Sequence, residues 1–300
     1  MEYGVLHLRR CSVTSRSLIT KIESAGLNLD VLMQRVSLAL AEDIRGGDIT
    51  SIATVDKDQV SSARFAARKP GVISGLIVAA AVLEECGVIT YQFHSEDGDE
   101  VKTGDVILSC EGPTRSILLA ERTALNFLTH LSGIASLTRK WTKEMTGTKT
   151  KIRDTRKTIP GLRELEKYAV RCGGGTNHRM TLTDAALIKD NHIAAVGSLS
   201  RAVERVRARF PNTEIEVEAD TLEQVREALE LKVDLILLDN MSIEETQRAV
   251  AITAGSSTKL ESSGGLTLDV AAAYAATGVD YLAIGALTHS APALDIGLDF

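Results

Sequence analysis

The chain has 300 residues and a formal net charge of -6, with 44% hydrophobic and 25% charged residues. This balance is typical of a globular protein and excludes a disordered or fibrous one. The negative charge argues against a nucleic-acid partner or an anionic membrane surface, and no apolar run reaches the roughly 18 residues that span a bilayer.

The four cysteines are scattered along the chain, with no Cys-x-x-Cys pair and no histidines at zinc-finger spacing. They are Cys11, Cys86, Cys110 and Cys172. This pattern predicts reduced thiols and a cytoplasmic protein.

The first third of the sequence predicts a small domain after a disordered extension. Residues 1–20 are basic and contain several serines, and we expect them to be that extension. Leu27 to Glu42 predicts a helix, and Ala63 to Cys110 alternates short β-like runs with glycines. The region from 21 to 132 is therefore predicted to be an N-terminal α/β domain.

A long helix is predicted from Ile117 to Thr138, because its leucines recur at helical spacing. Ser132 and Gly133 interrupt this pattern, so we expect one domain to end and the next to begin there. The second domain is predicted to cover 133–289, and the tail 290–300 is expected to pack with the first domain.

From Lys151 onward, short apolar strands alternate with amphipathic helices such as Leu199–Arg209 and Leu222–Leu231. The predicted strands are Ala185–Ile188, Glu214–Val217, Leu235–Leu238, Thr258–Leu260 and Tyr281–Ile284. Such alternation with short connections predicts an α/β fold of parallel strands joined by right-handed crossovers.

Polar and glycine residues follow the carboxyl ends of these strands. They include Lys189-Asp190-Asn191, Glu218, Asp239-Asn240, Glu261-Ser262-Ser263-Gly264-Gly265 and Gly285-Ala286. Barrel enzymes build their sites at this end of the strands. A doubly wound sheet would do the same, but the sequence has no Gly-x-Gly-x-x-Gly after the first strand, which favours the barrel.

Positive charge is concentrated in one part of this acidic chain, with thirteen Lys or Arg against six Asp or Glu between Arg139 and His192. Five cations could line one cavity: Arg122, Arg156, Lys157, Arg179 and Lys189. Such a cavity would bind a ligand with several carboxylates or phosphates. The alternatives are a solvated basic loop and, for Gly173-Gly174-Gly175, a flexible linker.

Two acids, Glu218 and Asp239, each end a predicted strand and could hold a divalent metal or sugar hydroxyls. A helix N-cap is the alternative for both. The loops Ser263-Gly264-Gly265 and Gly285-Ala286 could present backbone N–H groups to a phosphate. The histidines are not spaced as a metal set, so no zinc site is predicted.

Several long motifs closely resemble the quinolinate phosphoribosyltransferase family, also called carboxylating nicotinate-nucleotide pyrophosphorylases. The motifs are Glu121-Arg122-Thr123-Ala124-Leu125-Asn126, Asp154-Thr155-Arg156-Lys157-Thr158, Pro160-Gly161-Leu162-Arg163, Glu166-Lys167-Tyr168-Ala169-Val170, Gly173-Gly174-Gly175, Asn177-His178-Arg179, Leu187-Ile188-Lys189-Asp190-Asn191-His192, Leu238-Asp239-Asn240, Glu261-Ser262-Ser263-Gly264-Gly265 and Gly285-Ala286-Leu287-Thr288-His289.

The resemblance implies an incomplete α/β barrel with an N-terminal α/β sandwich domain. It also implies a homodimer in which Arg122 reaches the neighbouring active site. The implied reaction, in NAD biosynthesis, joins quinolinate and phosphoribosyl pyrophosphate, with Mg2+, to give nicotinate mononucleotide, carbon dioxide and pyrophosphate. Two alternatives are a paralogue of the molybdenum-transport-associated type and a non-catalytic sensor of phosphate ligands.

The resemblance further implies residue roles. Lys157, Glu218 and Asp239 would act at the reacting atoms, and Glu218 and Asp239 would hold the metal indirectly, through substrate or water. The implied substrate-binding residues are Arg122, Thr155, Arg156, Lys157, His178, Arg179, Lys189, Glu218, Asp239, Ser263, Gly264, Gly265, Ile284, Gly285 and Ala286.

Overall fold

The computed structural model describes residues 14–300, which form two compact units. Of the described residues, the first unit contains 14–137, 159–174 and 290–300. The second unit contains residues 138–158 and 175–289. The segment 159–174, expected in the second domain, thus clusters with the first.

The first unit combines helices with two antiparallel sheets. Its helices are α1 (Arg16–Ser24), α2 (Leu29–Asp43), α3 (Ile49–Thr54), α4 (Leu76–Glu85), α5 (Thr114–Glu144), whose last residues belong to the second unit, and α6 (Arg163–Cys172). Its strands are β1 (Val60–Ala67), β2 (Gly71–Val72), β3 (Thr90–Phe93), β4 (Glu100–Val101), β5 (Val106–Pro113) and β12 (Ile296–Asp299). The larger sheet has the order β12-β1-β5-β3, and β2 pairs with β4.

Helix α1 corrects one sequence expectation, because it begins within the segment expected to be disordered. Ser15 caps it by accepting a hydrogen bond from the backbone N–H of Leu18. Leu18 and Ile22, four residues apart, are fully buried, and α1 packs on α4. Residues 16–20 are therefore ordered, whereas residues 1–13 lie outside the described part of the chain.

Helix α5 continues without a break through Ser132 and Gly133, contrary to the interruption expected there. The glycine has a packing reason instead. A Cβ at Gly133 would lie 2.2 Å from the carbonyl oxygen of Pro292, in the C-terminal segment. Beyond that contact β12 pairs with β1, so the tail supplies an edge strand of the first sheet.

The second unit alternates strands and helices. Its strands are β6 (Lys151–Arg153), β7 (Ala186–Ile188), β8 (Ile215–Ala219), β9 (Leu235–Asp239), β10 (Lys259–Ser263) and β11 (Tyr281–Ala283). Its helices are α7 (Asp190–Val196), α8 (Leu199–Arg209), α9 (Leu222–Glu230), α10 (Ile243–Thr253), α11 (Leu268–Ala276) and α12 (Ala286–His289).

The six strands form one parallel sheet with the order β6-β11-β10-β9-β8-β7. From β7 to β11 every strand pairs with its successor, and the first strand of the unit pairs with the last. This is the order of a barrel that is open between β6 and β7, whereas a doubly wound sheet reverses its order in the middle. The predicted α/β class and incomplete barrel are confirmed.

Within residues 14–300, no helix is both long enough and apolar enough to cross a membrane.

Candidate active site

The carboxyl ends of the parallel strands bring most of the predicted site residues to one edge of the second unit. Glu218 is in register with Leu237 on the next strand, and Asp239 is in register with Ser263 on the strand after that. The remaining predicted residues of this unit follow β6, β7, β10 and β11 or lie on the segment beside β6. Arg122 is the exception, since it belongs to the first unit.

Buried Asp154 fixes the loop that carries Arg156 and Lys157. Its carboxylate accepts hydrogen bonds from Asn177 Nδ2 at 2.6 Å and from the backbone N–H of His178 at 2.8 Å. Thr176 runs alongside β6, because its backbone N–H donates to the carbonyl of Ile152 at 2.8 Å. The segment after the three glycines is therefore tied to β6 and is not a flexible linker.

Arg156 and Arg179 form a pair of like charges. Burial, and then the positive charge of Arg156, lower the pKa of Arg179. The Nε atoms of both guanidinium groups are buried without a hydrogen-bond partner, and one nitrogen of Arg179 donates to the carbonyl of Ala185 at 2.8 Å. Two adjacent guanidinium groups with unmet donors fit a ligand that carries two carboxylates.

Lys157 lies against the loop that follows β11. A Cβ at Gly285 would be 3.0 Å from Lys157 Cδ and 3.2 Å from His289 Nε2, so both side chains pack closely against this glycine. The hydroxyl of Thr288 donates to the Lys157 carbonyl at 2.7 Å. The Lys157 side chain therefore lies against a loop whose backbone N–H groups can bind phosphate.

Glu218 and Asp239 end neighbouring strands, and both are partly exposed. Glu218 Oε2 forms an ion pair with Lys189 Nζ, and Asp239 Oδ2 accepts a hydrogen bond from Asn240 Nδ2 at 2.7 Å. Two partly exposed carboxylates fit Mg2+, which typically uses one or two carboxylates and keeps water or phosphate as its other ligands.

A buried network of titratable side chains lies inside the sheet, and of its four members only His178 is predicted from the sequence as a site residue. Arg153 Nη1 lies 2.8 Å from Glu261 Oε2, and His178 Nε2 lies 2.9 Å from Glu216 Oε2 and 3.6 Å from Glu261 Oε1. Burial and the neighbouring Glu216 raise the pKa of Glu261 to about 7, against the opposing effect of the Arg153 guanidinium group. The available signal was an acid inside an apolar strand, as in Ile215-Glu216-Val217.

Arg122 is exposed on α5 in the first unit. It lines a cavity of about 290 Å³ together with Glu42, Asn126, Phe127 and His130. Arg122 is thus an exposed cation with both acidic and polar neighbours.

The fold and the site together define an enzyme class: an open α/β barrel whose strand ends carry cations, acids and glycine loops for a phosphorylated sugar and an anionic partner. Two family models match the chain, the quinolinate phosphoribosyl transferase N-terminal domain over residues 48–132 and the C-terminal domain over residues 134–299. The chain belongs to the quinolinate phosphoribosyltransferase family.

Relatives and solved structures agree with this assignment. The carboxylating nicotinate-nucleotide pyrophosphorylase of Mycobacterium leprae is 52% identical, covering 90% of this chain and 97% of that protein. The probable enzyme of that name from Bacillus subtilis is 43% identical, with coverages of 86% and 89%. The solved nicotinate-nucleotide pyrophosphorylase from Francisella tularensis is 40% identical, with a TM-score of 0.88 and coverages of 91% and 97%.

Proposed function

We propose that this protein transfers the phosphoribosyl group of phosphoribosyl pyrophosphate to quinolinate, with decarboxylation, in NAD biosynthesis. The products are nicotinate mononucleotide, carbon dioxide and pyrophosphate. The observation that carries the proposal is the Arg156–Arg179 pair, whose unmet donors suit the two adjacent carboxylates of quinolinate. The family membership supports the same reaction.

The remaining site residues bind different parts of the sugar substrate. Glu218 and Asp239 face the ribose hydroxyls, and the loops 263–265 and 284–286 hold the 5-phosphate through their backbone N–H groups. Lys157 lies beside the second of these loops, and Lys189 is held next to the ribose by Glu218. Thr155 accepts a hydrogen bond from the backbone N–H of Lys157 and so supports that loop.

In the reaction, the pyridine nitrogen attacks the anomeric carbon while the bond to pyrophosphate breaks, so positive charge grows on the sugar. The carboxylates of Glu218 and Asp239 stabilise that charge, and Lys157 stabilises the departing pyrophosphate. Mg2+, held indirectly by the two acids, would supply further neutralisation of the pyrophosphate. Loss of carbon dioxide then leaves an electron pair on the ring carbon, which the adjacent positively charged ring nitrogen stabilises, and a proton from water takes the place of the carboxylate. The protein's contribution to this step is orientation.

Arg122 is proposed to complete the site of a neighbouring subunit in a homodimer. Complementation tests this, because a dimer of one Arg122→Ala and one Lys157→Ala chain has one site with both residues intact. If the two inactive variants mix randomly, about a quarter of wild-type activity should return. If both residues act within one chain, mixing restores nothing.

The proposed compartment is the cytoplasm. None of the described cysteines, Cys86, Cys110 and Cys172, forms a disulfide, which suits a protein in a reducing environment. Fractionation of cells that make the tagged protein tests this assignment.

A substrate comparison tests the function itself. Pyrophosphate release is measured with phosphoribosyl pyrophosphate and either quinolinate or nicotinate, and release only with quinolinate is expected. Activity on nicotinate alone would point to a paralogue with another substrate. Ligand binding without turnover in either mixture would point to a sensor and would contradict the proposal.

A further inference from the structure

We propose that Glu216 is a positioning residue for the dicarboxylate end of the site: it fixes the ring of His178, and that ring fixes Arg179. The inference rests on the function proposed above, since it takes Arg179 as a ligand of the pyridine dicarboxylate. Glu216 itself touches no substrate in this scheme.

His178 connects the other two residues through its opposite ring nitrogens. The backbone N–H of Arg179 donates to His178 Nδ1 at 2.7 Å, so Nδ1 carries a lone pair. The hydrogen of the ring must then sit on Nε2, which lies 2.9 Å from Glu216 Oε2 and donates to it. Glu216 thereby selects the tautomer that the backbone of Arg179 requires.

Burial leaves this arrangement little freedom. The side chains of His178 and Glu216 are 9% and 3% exposed. The guanidinium group of Arg179 is held separately by the carbonyl of Ala185. With both its backbone and its side chain held, Arg179 is pre-organised for a planar dianion, which lowers the cost of ordering it on binding.

A bound metal ion is the main alternative for this cluster, since donor atoms of His178, Glu216 and Glu261 all lie within 4.8 Å of one another. A metal ion at His178 Nε2 would need a lone pair there, but in this tautomer Nε2 carries the ring hydrogen. Moving that hydrogen to Nδ1 would break the hydrogen bond from Arg179. The cation Arg153 already lies 2.8 Å from Glu261, so the geometry favours a hydrogen-bonded network.

A second acceptor lies close enough to compete with Glu216. Glu261 Oε1 is 3.6 Å from His178 Nε2 and has no hydrogen-bond partner. If Glu216 loses its acceptor oxygen, the ring turns toward Glu261, and Nδ1 leaves the backbone N–H of Arg179. Arg179 is then no longer fixed.

Two substitutions distinguish the contribution of the acceptor oxygen of Glu216 from the contributions of its size and its charge. Glu216→Met keeps the length of the side chain without an acceptor, and we expect its KM for quinolinate to rise about tenfold, the effect of one buried hydrogen bond. The kcat and the KM for phosphoribosyl pyrophosphate should stay within about twofold, as expected for loss of uniform binding to one substrate. Glu216→Gln retains an acceptor oxygen and should restore the KM for quinolinate to within about threefold of wild type.

The matched control is Glu214→Met, which removes an exposed carboxylate two residues earlier and should change neither KM. An unchanged KM for quinolinate in Glu216→Met would overturn the proposal. So would an equal rise for both substrates, which indicates a general structural role, or an equal defect in Glu216→Gln, which indicates that charge and not the acceptor matters. Absence of quinolinate-dependent turnover in wild type would instead overturn the proposed function.

A measurement on the wild-type protein keeps the inference testable if Glu216→Met does not fold. Histidine side chains labelled with 15N report their tautomer by NMR, and the signal lost in His178→Gln identifies this ring. We expect hydrogen on Nε2 and none on Nδ1. The opposite tautomer would contradict the role of Glu216.

Discussion

Gly264 leaves the space that Asn240 occupies: a Cβ at this position would lie 2.2 Å from Asn240 Oδ1 and 2.9 Å from its backbone nitrogen. The two residues belong to loops that follow neighbouring strands, and the backbone N–H of Asn240 donates to the carbonyl of Ser263 at 2.9 Å. The conformation of the proposed phosphate loop therefore depends on that of the loop after Asp239, and the reverse.

Gly264→Ala should damage this arrangement in two ways. Its φ of +93° disfavours any side chain, and the added carbon collides with backbone as well as side chain. We expect a loss of about 2 kcal/mol or more in the free energy of unfolding, measured by denaturant titration, and a raised KM for phosphoribosyl pyrophosphate.

Gly255→Ala is the control for that experiment. Gly255 has a φ of +82°, but a Cβ added there would meet nothing within 4 Å, so the variant isolates backbone strain. Its cost should be about 1 kcal/mol, without an effect on KM. Equal losses in the two variants would show that the contact with Asn240 is unimportant.

Asp154→Asn should loosen the segment that carries His178 and Arg179. An amide presents one acceptor oxygen where the carboxylate uses two, to Asn177 Nδ2 and to the backbone of His178. We expect a loss of about 1–3 kcal/mol in the free energy of unfolding and a raised KM for quinolinate. Asp58→Asn, at a side chain that is 86% exposed, should have neither effect.

Lys157→Ala should abolish most turnover while leaving the fold intact, because the side chain is exposed and its role is electrostatic. We expect kcat/KM to fall about 100-fold or more, with little change in Tm. Lys149→Ala serves as the control, since Lys149 is 63% exposed and pairs with Asp280 at the opposite ends of the strands. Full activity in Lys157→Ala would count against the proposed role of this lysine.

The stability of the fold should depend on pH through Glu261. Burial and Glu216 raise its pKa from 4.5 to about 7, so the folded protein retains a proton that the unfolded chain has released. The free energy of unfolding therefore falls as the pH rises from about 4.5 to about 7, and the full penalty is present above that range.

Glu261→Gln removes this titration while keeping an oxygen that can accept a hydrogen bond from Arg153. Between pH 6 and pH 8, wild type should lose about 1 kcal/mol more than the variant, measured by denaturant titration at both values. Parallel pH dependences in the two proteins would show that Glu261 does not titrate in this range.

The strands of the second unit can be predicted to within a few residues because they are short apolar runs followed by polar residues. Helix α8 is predicted with its observed bounds, Leu199–Arg209, since its amphipathic pattern is clear, and the structure adds Ser198 as its N-cap. The order of the strands within the sheet is harder to predict from the sequence. The pairing of β6 with β11 joins segments more than a hundred residues apart, and only the barrel hypothesis suggests it.

The missed features depend on contacts that no local pattern encodes. Helix α6 belongs to the first unit, where Glu166 pairs with His130 and accepts from the backbone N–H of Ile159. From the sequence alone, Gly133 indicates a break in a helix. The reason for the glycine is its contact with Pro292, far along the chain, and the sequence does not show that contact. Glu216 and Glu261 look like ordinary strand residues, since a sequence does not show which buried acid faces a histidine.

The strand β12 also has a consequence for the order in which the protein is made. The first unit is encoded mainly at the start of the chain, yet its larger sheet lacks an edge until residues 296–299 have left the ribosome. All strands of the second unit, which lie between residues 151 and 283, are synthesised before that point. The first unit is thus begun before the second but completed after it. A frameshift or premature stop that removes β12 would leave β1 as an unpaired edge strand, which is prone to aggregation.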